Sequence, residues 1–262
     1  MDSVNKTLYI PLYGKAAVSR RGILLRDPKA EEIWAESGFS LKGKAKSKWL
    51  TYYMGMRAAV FDQWLTAQME ELPGAAVIHI GCGLDSRVCR IGTGGHAWYD
   101  VDLPEVIGER RKYYKESVEY HMLSADVRDT TWLDAIPGGT DAIAVMEGVS
   151  MYLRRGGLLE LLASLARRFG RVALLMDCYT VFAAKVSKYK NPVNEVGVTQ
   201  LYGVDDPREL EQGKGLVFRR EHELTPAELI GELPGGDRTF FDLLFAGGAA
   251  KKIYRLFEFG TA

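Results

Sequence analysis

The sequence predicts an α/β fold: a doubly wound, mostly parallel sheet of seven strands with a helical segment ahead of it. Three observations carry this. From residue 75 onward short apolar runs alternate with helical stretches, the texture of βαβ units with helices on both faces. A Gly81-Cys82-Gly83 turn follows the first apolar run at once, and the first seventy residues read as helical and rich in Lys and Arg.

Taken in order, Asp27-Pro28 marks a helix start, with Asp as N-cap and Pro at the first helical position. A longer amphipathic helix is expected over 47–71, where Leu50, Tyr53, Met54, Val60, Phe61, Trp64 and Leu65 keep mostly to one face. Pro73-Gly74 ends it. Strands follow at 75–80, 97–101, 118–123, 142–146 and 172–176, with helices at 104–116 and 155–169. The last third adds strands at 216–222 and 253–259, a helix start at Thr225-Pro226 and a helix over 237–244. Two closing strands with a helix between them place an antiparallel strand at one edge of the sheet.

Composition bounds the function. A chain of 262 residues, 47% hydrophobic, suits one domain. Within it, 1–73 forms a helical extension and 74–262 the sheet core, with an insertion around 180–213. The 34 basic residues balance the 34 acidic ones, so neither a nucleic-acid footprint nor a basic membrane-binding face is expected. Cys82, Cys89 and Cys178 lack metal-ligand spacing and read as buried free thiols of a reducing compartment. The start of the chain lacks a leader pattern, and no apolar run reaches spanning length. A soluble cytoplasmic protein is expected.

In an open parallel sheet, ligands bind beyond the carboxyl ends of the strands. Gly81, Gly83 and Asp85 follow the first strand, Asp102 the second, Asp126 the third and Glu147 the fourth. Asp102 lies at the spacing from Gly81 at which an acid reaches ribose hydroxyls; a solvated carboxylate or helix N-cap is an equally good reading of it alone. A dinucleotide fingerprint would want glycine where Ser86 stands, and Asp85 would repel a pyrophosphate at that turn. A phosphate-binding Gly-Lys-Ser or Gly-Lys-Thr loop is also missing. A cofactor without phosphate that carries an ammonium and a sulfonium suits such an acidic cleft, which points to S-adenosylmethionine.

The stretches Gly81-Cys82-Gly83-Leu84-Asp85-Ser86-Arg87, Asp100-Val101-Asp102-Leu103-Pro104-Glu105-Val106, Ser124-Ala125-Asp126-Val127-Arg128-Asp129 and Glu147-Gly148-Val149-Ser150-Met151-Tyr152-Leu153 occur in this order. Together they resemble the family that joins leucine carboxyl methyltransferases to tetracenomycin-type polyketide O-methyltransferases, over residues 8–180. The resemblance implies a Rossmann-like class I methyltransferase sheet with a helical N-terminal extension. It also implies roles. Gly81 would meet the methionine part of the cofactor, Asp102 the ribose, Asp126 and the backbone of Val127 the adenine, and Glu147 the ammonium. Two cations from the N-terminal helices, Arg57 and Lys15, would hold the cofactor carboxylate.

The expected reaction moves a methyl group from S-adenosylmethionine to a carboxyl or hydroxyl oxygen of a small, polyketide-like molecule, mainly by alignment and exclusion of water. A carboxylate acceptor needs no general base, whereas a hydroxyl does better with one. His79 reads as a satisfied core residue, His222 is ambiguous, and His96 and His121 read as surface residues; none is assigned to catalysis. Tyr152 is placed to line the acceptor pocket or to pack a helix start. That pocket is expected between the N-terminal helices and 180–213, with Tyr179, Phe182, Tyr189 and Tyr202 as aromatic candidates. The alternatives are a protein C-terminal carboxyl methyltransferase, which would need a groove for a peptide tail, and a non-catalytic binding module, whose pocket would be plugged.

Overall fold

A computed structural model describes residues 7–187, 200–213 and 215–262. Among the described residues three longer helices come first, α1 (Tyr9–Arg20), α2 (Pro28–Glu36) and α3 (Lys48–Glu71). The alternating region follows as β1 (Ala76–Ile80), α4 (Arg87–Ile91), β2 (Trp98–Asp102), α5 (Pro104–Arg110), β3 (Tyr120–Ser124), β4 (Ala142–Met146), α6 (Arg155–Arg168) and β5 (Val172–Tyr179). Then come α7 (Val181–Val186), β6 (Val217–His222), α8 (Ala227–Gly231), α9 (Gly235–Phe245), α10 (Gly247–Lys251) and β7 (Tyr254–Gly260). The strands form one sheet in the order β3-β2-β1-β4-β5-β7-β6. The neighbours from β3 through β5 pair in parallel, and β7 runs antiparallel to both β5 and β6.

Strand periodicity divides the interior in two. Val77, Ile143 and Val145 face a core shared with Leu12, Ile33, Phe61 and Leu65 of the first three helices. Their neighbours Ile78, Ala144 and Met146 face the other core, with Leu158, Leu161, Leu162 and Leu165 of α6. Successive side chains of a strand point to opposite faces, so both faces of an apolar strand must be covered. The N-terminal segment is therefore one of the sheet's two covering layers.

This corrects the expectation for α3. Its residues from Met54 to Phe61 are buried without a break, because the helix is caught between the sheet and α1. Two glycines set the crossing. A Cβ on Gly14 would lie 2.6 Å from the Cβ of Met54, and one on Gly55 would lie 2.9 Å from Val18 Cγ2. The residues just beyond these close contacts are Lys15 and Arg57, so the crossing that lets the helices touch also aims two cations at the sheet.

Other differences have plain causes. The helix after Pro104 stops at Arg110 rather than 116, and Val118, 96% exposed, lies outside β3. Strand β5 continues to Tyr179 because β7 pairs with it as far as Tyr179↔Tyr254. His96 is buried with Nδ1 2.9 Å from the Ala75 carbonyl oxygen, not at the surface. Cys89 is exposed, on the outer side of the short α4, while Cys82 and Cys178 are buried.

Candidate active site

The turn after β1 is built by conformation before chemistry. Gly81 has φ +69° and Gly83 has φ +52°, the left-handed region that side chains disfavour. At Gly81 space is also closed: a Cβ would overlap Val149 Cγ2 and lie 3.3 Å from Val149 Cβ. The Gly81 amide donates to the Val101 carbonyl at 2.7 Å, and the Gly83 amide donates to Asp102 Oδ2 at 2.7 Å. The β1 turn is thus tied to the end of β2.

Above this turn lies a cavity of about 740 Å³, within the roughly 300–1,000 Å³ usual for small-molecule sites. Lys15, Arg57, Gly81, Gly83, Glu147 and Tyr152 all line it. Asp102, Asp126 and Val127 are not among its lining; they stand farther along the carboxyl edge, where the Ala125 amide donates to the Asp102 carbonyl. The sequence-predicted residues therefore fall into two neighbouring groups.

The cavity floor is a lattice of buried charge. Lys15 Nζ meets Asp85 Oδ2 at 2.8 Å and lies 3.9 Å from Glu147 Oε1. Arg57 donates from Nε to Glu147 Oε1 at 3.1 Å and from Nη1 to Asp177 Oδ2 at 2.8 Å. Arg87 pairs with Glu147 and reaches Asp62 Oδ1 at 2.7 Å. Arg90 reaches Asp27, Asp62 and Asp85 at 2.6, 2.6 and 2.8 Å. Asp27 also caps α2 through the Ala30 amide at 2.8 Å, so the N-cap read from the sequence belongs to the site's foundation.

These pairs decide the charge states. Burial would raise Asp85, but Arg90, Lys15 and Arg87 outweigh it and hold the carboxyl well below its usual range. Burial likewise opposes ionisation of Glu147, while Lys15, Arg57 and Arg87 bring it down to about 2. Asp177 has less help: burial pushes it above the ordinary carboxyl value against Arg57 and the Gly148 amide. At Asp102 burial wins, raising the carboxyl to about 6 despite bonds from the Gly83 and Leu103 amides. Asp126 is lowered by its bond with Arg128, which occupies its carboxylate at the surface. The expected acidic cleft is thus corrected. Bare carboxylates in this interior would be too costly to ionise, and each acid lining the cavity meets a buried cation.

His79 lies beneath the turn, its Nε2 3.0 Å from Arg87 Nη1 and its Nδ1 3.3 Å from Asp100 Oδ1. Burial lowers its pKa, so the ring is neutral. His222 sits on edge strand β6 against Glu258 at 2.5 Å, apart from the cavity.

The apolar wall includes Trp49, Tyr53, Tyr179, Phe182, Phe245 and Tyr254. Tyr179 and Tyr254 meet edge to face with centroids 4.5 Å apart, and Tyr53 lies 5.9 Å from Tyr254. Of the aromatic candidates, Tyr202 instead takes a bond from Arg154 at 3.2 Å, and Tyr189 lies outside the described residues. Sequence reasoning missed three contributions: Asp177, the two arginines of α4, and the C-terminal helices, which supply Leu244, Phe245, Ala249 and Ala250 to the wall. Asp177 had a signal, an acid directly continuing an apolar strand.

A parallel sheet whose seventh strand runs antiparallel between the fifth and sixth, with glycine turn and acids at the carboxyl edge, defines the class I methyltransferase architecture. The solved magnesium protoporphyrin IX methyltransferase of Synechocystis PCC 6803 with bound S-adenosylhomocysteine shares this fold. Its TM-score is 0.53 at 13% identity, over 90% of this chain and 93% of that one. Residues 10–166 match the leucine carboxyl methyltransferase family, and the chain belongs to it. It is an S-adenosylmethionine-dependent methyltransferase. One relative is the tetracenomycin polyketide synthesis O-methyltransferase TcmP of Streptomyces glaucescens, 29% identical over 88% of this chain and 87% of that protein. Another is the S-adenosyl-L-methionine-dependent methyltransferase dpfgK of Gibberella zeae, 28% identical over 84% of this chain and 82% of its own length.

Proposed function

We propose that the chain methylates an oxygen of a small aromatic molecule, and that this oxygen belongs to a carboxylate. One observation carries the choice of acceptor group. Among the described residues, no carboxylate or imidazole lining the cavity stands free of a cationic partner: Asp85 is held by Lys15, Glu147 by Arg57 and His79 by Arg87. Burial also raises Tyr53, Tyr152 and Tyr254, keeping their phenols protonated. A site without a free base suits an acceptor that is already a nucleophile. The relatives support a small acceptor, since TcmP is an O-methyltransferase of polyketide synthesis.

The residues present fit the cofactor. Bound S-adenosylmethionine supplies a methyl group activated by its sulfonium charge. Gly81 and Gly83 leave bare backbone beside the cavity, and Arg57 has Nη2 unused by Glu147 and Asp177. In this reading Lys15 and Arg57 hold the cofactor carboxylate and Glu147 its ammonium. Asp102 accepts from the ribose, and Asp126 with the Val127 backbone holds the adenine. Tyr152 borders the acceptor. Lys15 and Arg57 would each gain a third partner, so they bind without being released from their carboxylates. Among the described residues no helix is long and apolar enough to cross a membrane; a cytoplasmic enzyme of small-molecule metabolism is the setting we propose.

Calorimetric titration with S-adenosylmethionine, S-adenosylhomocysteine and NAD tests the cofactor: micromolar binding of the first two without NAD is expected. Mass spectrometry of reactions offered matched pairs of fused-ring aromatic carboxylates and phenols tests the acceptor. Methyl esters from the acids are expected; methyl ethers from the phenols alone would overturn the carboxylate assignment.

A further inference from the structure

One turn of the chain concentrates charge that the site described so far does not use. Lys42, Lys44, Lys46 and Lys48 fall within seven residues around a short 3-10 turn, Gly43–Lys46. Lys48 pairs with Asp237 at 2.7 Å. Lys42, Lys44 and Lys46 are exposed and have no acidic partner among the described residues. Lys44 and the adjoining Ser47 line the cavity.

The turn is held firmly for a surface segment. Leu41 and Ala45 are buried with Ile10 in a small satellite core, against Tyr13, Trp34, Phe39 and Leu50. Ile10 and Leu50 themselves line the cavity, so one apolar contact joins the basic turn to the wall of the site. Lys42 follows the buried Leu41, and Lys44 and Lys46 flank the buried Ala45, so the anchored turn keeps three exposed lysines close together in the chain. The two acids that line the cavity, Asp85 and Glu147, are already neutralised in its floor. Among the described residues, the unpaired charge at this part of the rim is therefore positive. Exposed apolar side chains also line the cavity, with Phe182 63%, Val186 46% and Leu244 48% exposed.

We propose that Lys42, Lys44 and Lys46 form a capture site that draws anionic aromatic acceptors into the cavity and selects them over neutral ones. A cluster of one sign beside a low-dielectric cleft focuses its field and raises encounter rates by about 10- to 1,000-fold in strong cases. Its reach is about 10 Å at 0.1 M salt, enough to act on an approaching ligand but not to alter distant chemistry. The lysines thus act on binding of the acceptor, and methyl transfer occurs farther in. This inference rests on the proposed anionic acceptor.

The test uses two fluorescent probes of similar shape, the anion 1-anilinonaphthalene-8-sulfonate and the neutral N-phenyl-1-naphthylamine. Their association with the enzyme loaded with S-adenosylhomocysteine is followed by stopped flow from 20 to 300 mM salt. The Lys42→Gln/Lys44→Gln/Lys46→Gln variant should bind the anion about three- to tenfold more slowly at low salt, with most of the salt dependence lost. The neutral probe should associate alike with both proteins, and Lys44→Arg should behave as wild type. Equal anion rates in wild type and triple variant, or no anion binding to wild type, overturn the capture site. Calorimetry on the same variant separates the two readings. Intact S-adenosylhomocysteine binding confines a failure to the lysines, whereas wild type that does not bind it fails the cofactor reading.

Discussion

Replacing Arg57 with Met should expose how the charge lattice is balanced. Arg57 serves two buried acids, but they depend on it unequally. Glu147 keeps Arg87 and, at 3.9 Å, Lys15. Asp177, fully buried, keeps among the described residues only the Gly148 amide at 2.7 Å. The damage therefore falls on Asp177, and breaking a buried pair by removing one partner costs about 3–5 kcal/mol. A domain has about 5–15 kcal/mol in all, so the variant should fold but unfold at much lower urea. Asp177 can escape by taking a proton. Its folded pKa already lies above the ordinary value through burial, and losing Arg57 raises it further. A carboxyl raised on folding costs nothing below its unfolded pKa, and its cost grows as pH climbs through the folded pKa. The deficit of Arg57→Met relative to wild type should thus be larger at pH 8 than at pH 5. Each tenfold weakening of the Asp177 acid adds about 1.4 kcal/mol to that difference. Urea unfolding followed by circular dichroism at both pH values measures it, and Arg57→Met/Asp177→Asn should recover most of the loss. A deficit equal at both pH values and unrelieved by Asp177→Asn would mean that Arg57 acts through packing, and the electrostatic reasoning would be wrong.

Other expectations follow from single contacts. Gly81→Ala forces a left-handed residue into Val149 and should destabilise by about 2–4 kcal/mol in thermal melts; Gly81→Ala/Val149→Ala should regain only the packing part. Affinity for S-adenosylhomocysteine should decline as pH falls through about 6, where Asp102 gains its proton, and titrations of Asp102→Asn should be weaker and flat across that range. Asp126→Ala, at a surface position paired with Arg128, should change stability by no more than about 0.5 kcal/mol while lowering that affinity severalfold. Glu147 and Asp100 are both held at about 2, so their contribution is complete above the normal carboxyl range. It should disappear as pH drops from about 4 toward 2, and acid titration of Asp100→Asn should show a shallower loss.

Much of this was legible in the sequence because local rules governed it. Strand β4 occupies the span its apolar run suggested, and Asp27-Pro28 starts α2 as cap and first residue. The glycine turn and the acids after β2, β3 and β4 reach the carboxyl edge because sheet topology dictates it. What escaped was set by tertiary partners. The one-sided pattern expected of α3 failed because α1 covers its outer face, a fact of packing that no period in α3 records. Strand β5 runs past Met176 because β7 pairs with it, and that extension carries Asp177 into the site. The pairing of Lys15 with Asp85 joins residues 70 positions apart, and nothing in either segment announces the other. The remote helices α9 and α10 complete the cavity wall for the same reason.

The glycine-mediated crossing of α1 and α3 has a consequence for how the protein can be divided. Lys15 and Arg57 come from the opening helices, while Asp85, Glu147 and Asp177 come from the sheet. Among the described residues Arg57 is the one cation paired with Asp177, and Lys15 and Arg57 find their acids in the sheet. Deleting the first three helices would not leave a smaller sheet protein; it would leave Asp177 without its cation and Asp85 and Glu147 with only the arginines of α4, together with one uncovered face of the sheet. Evolution of a new acceptor preference is correspondingly confined. The opening helices can vary along the wall they present, but the two cations tether them to the sheet, and the floor and its lid must be inherited together.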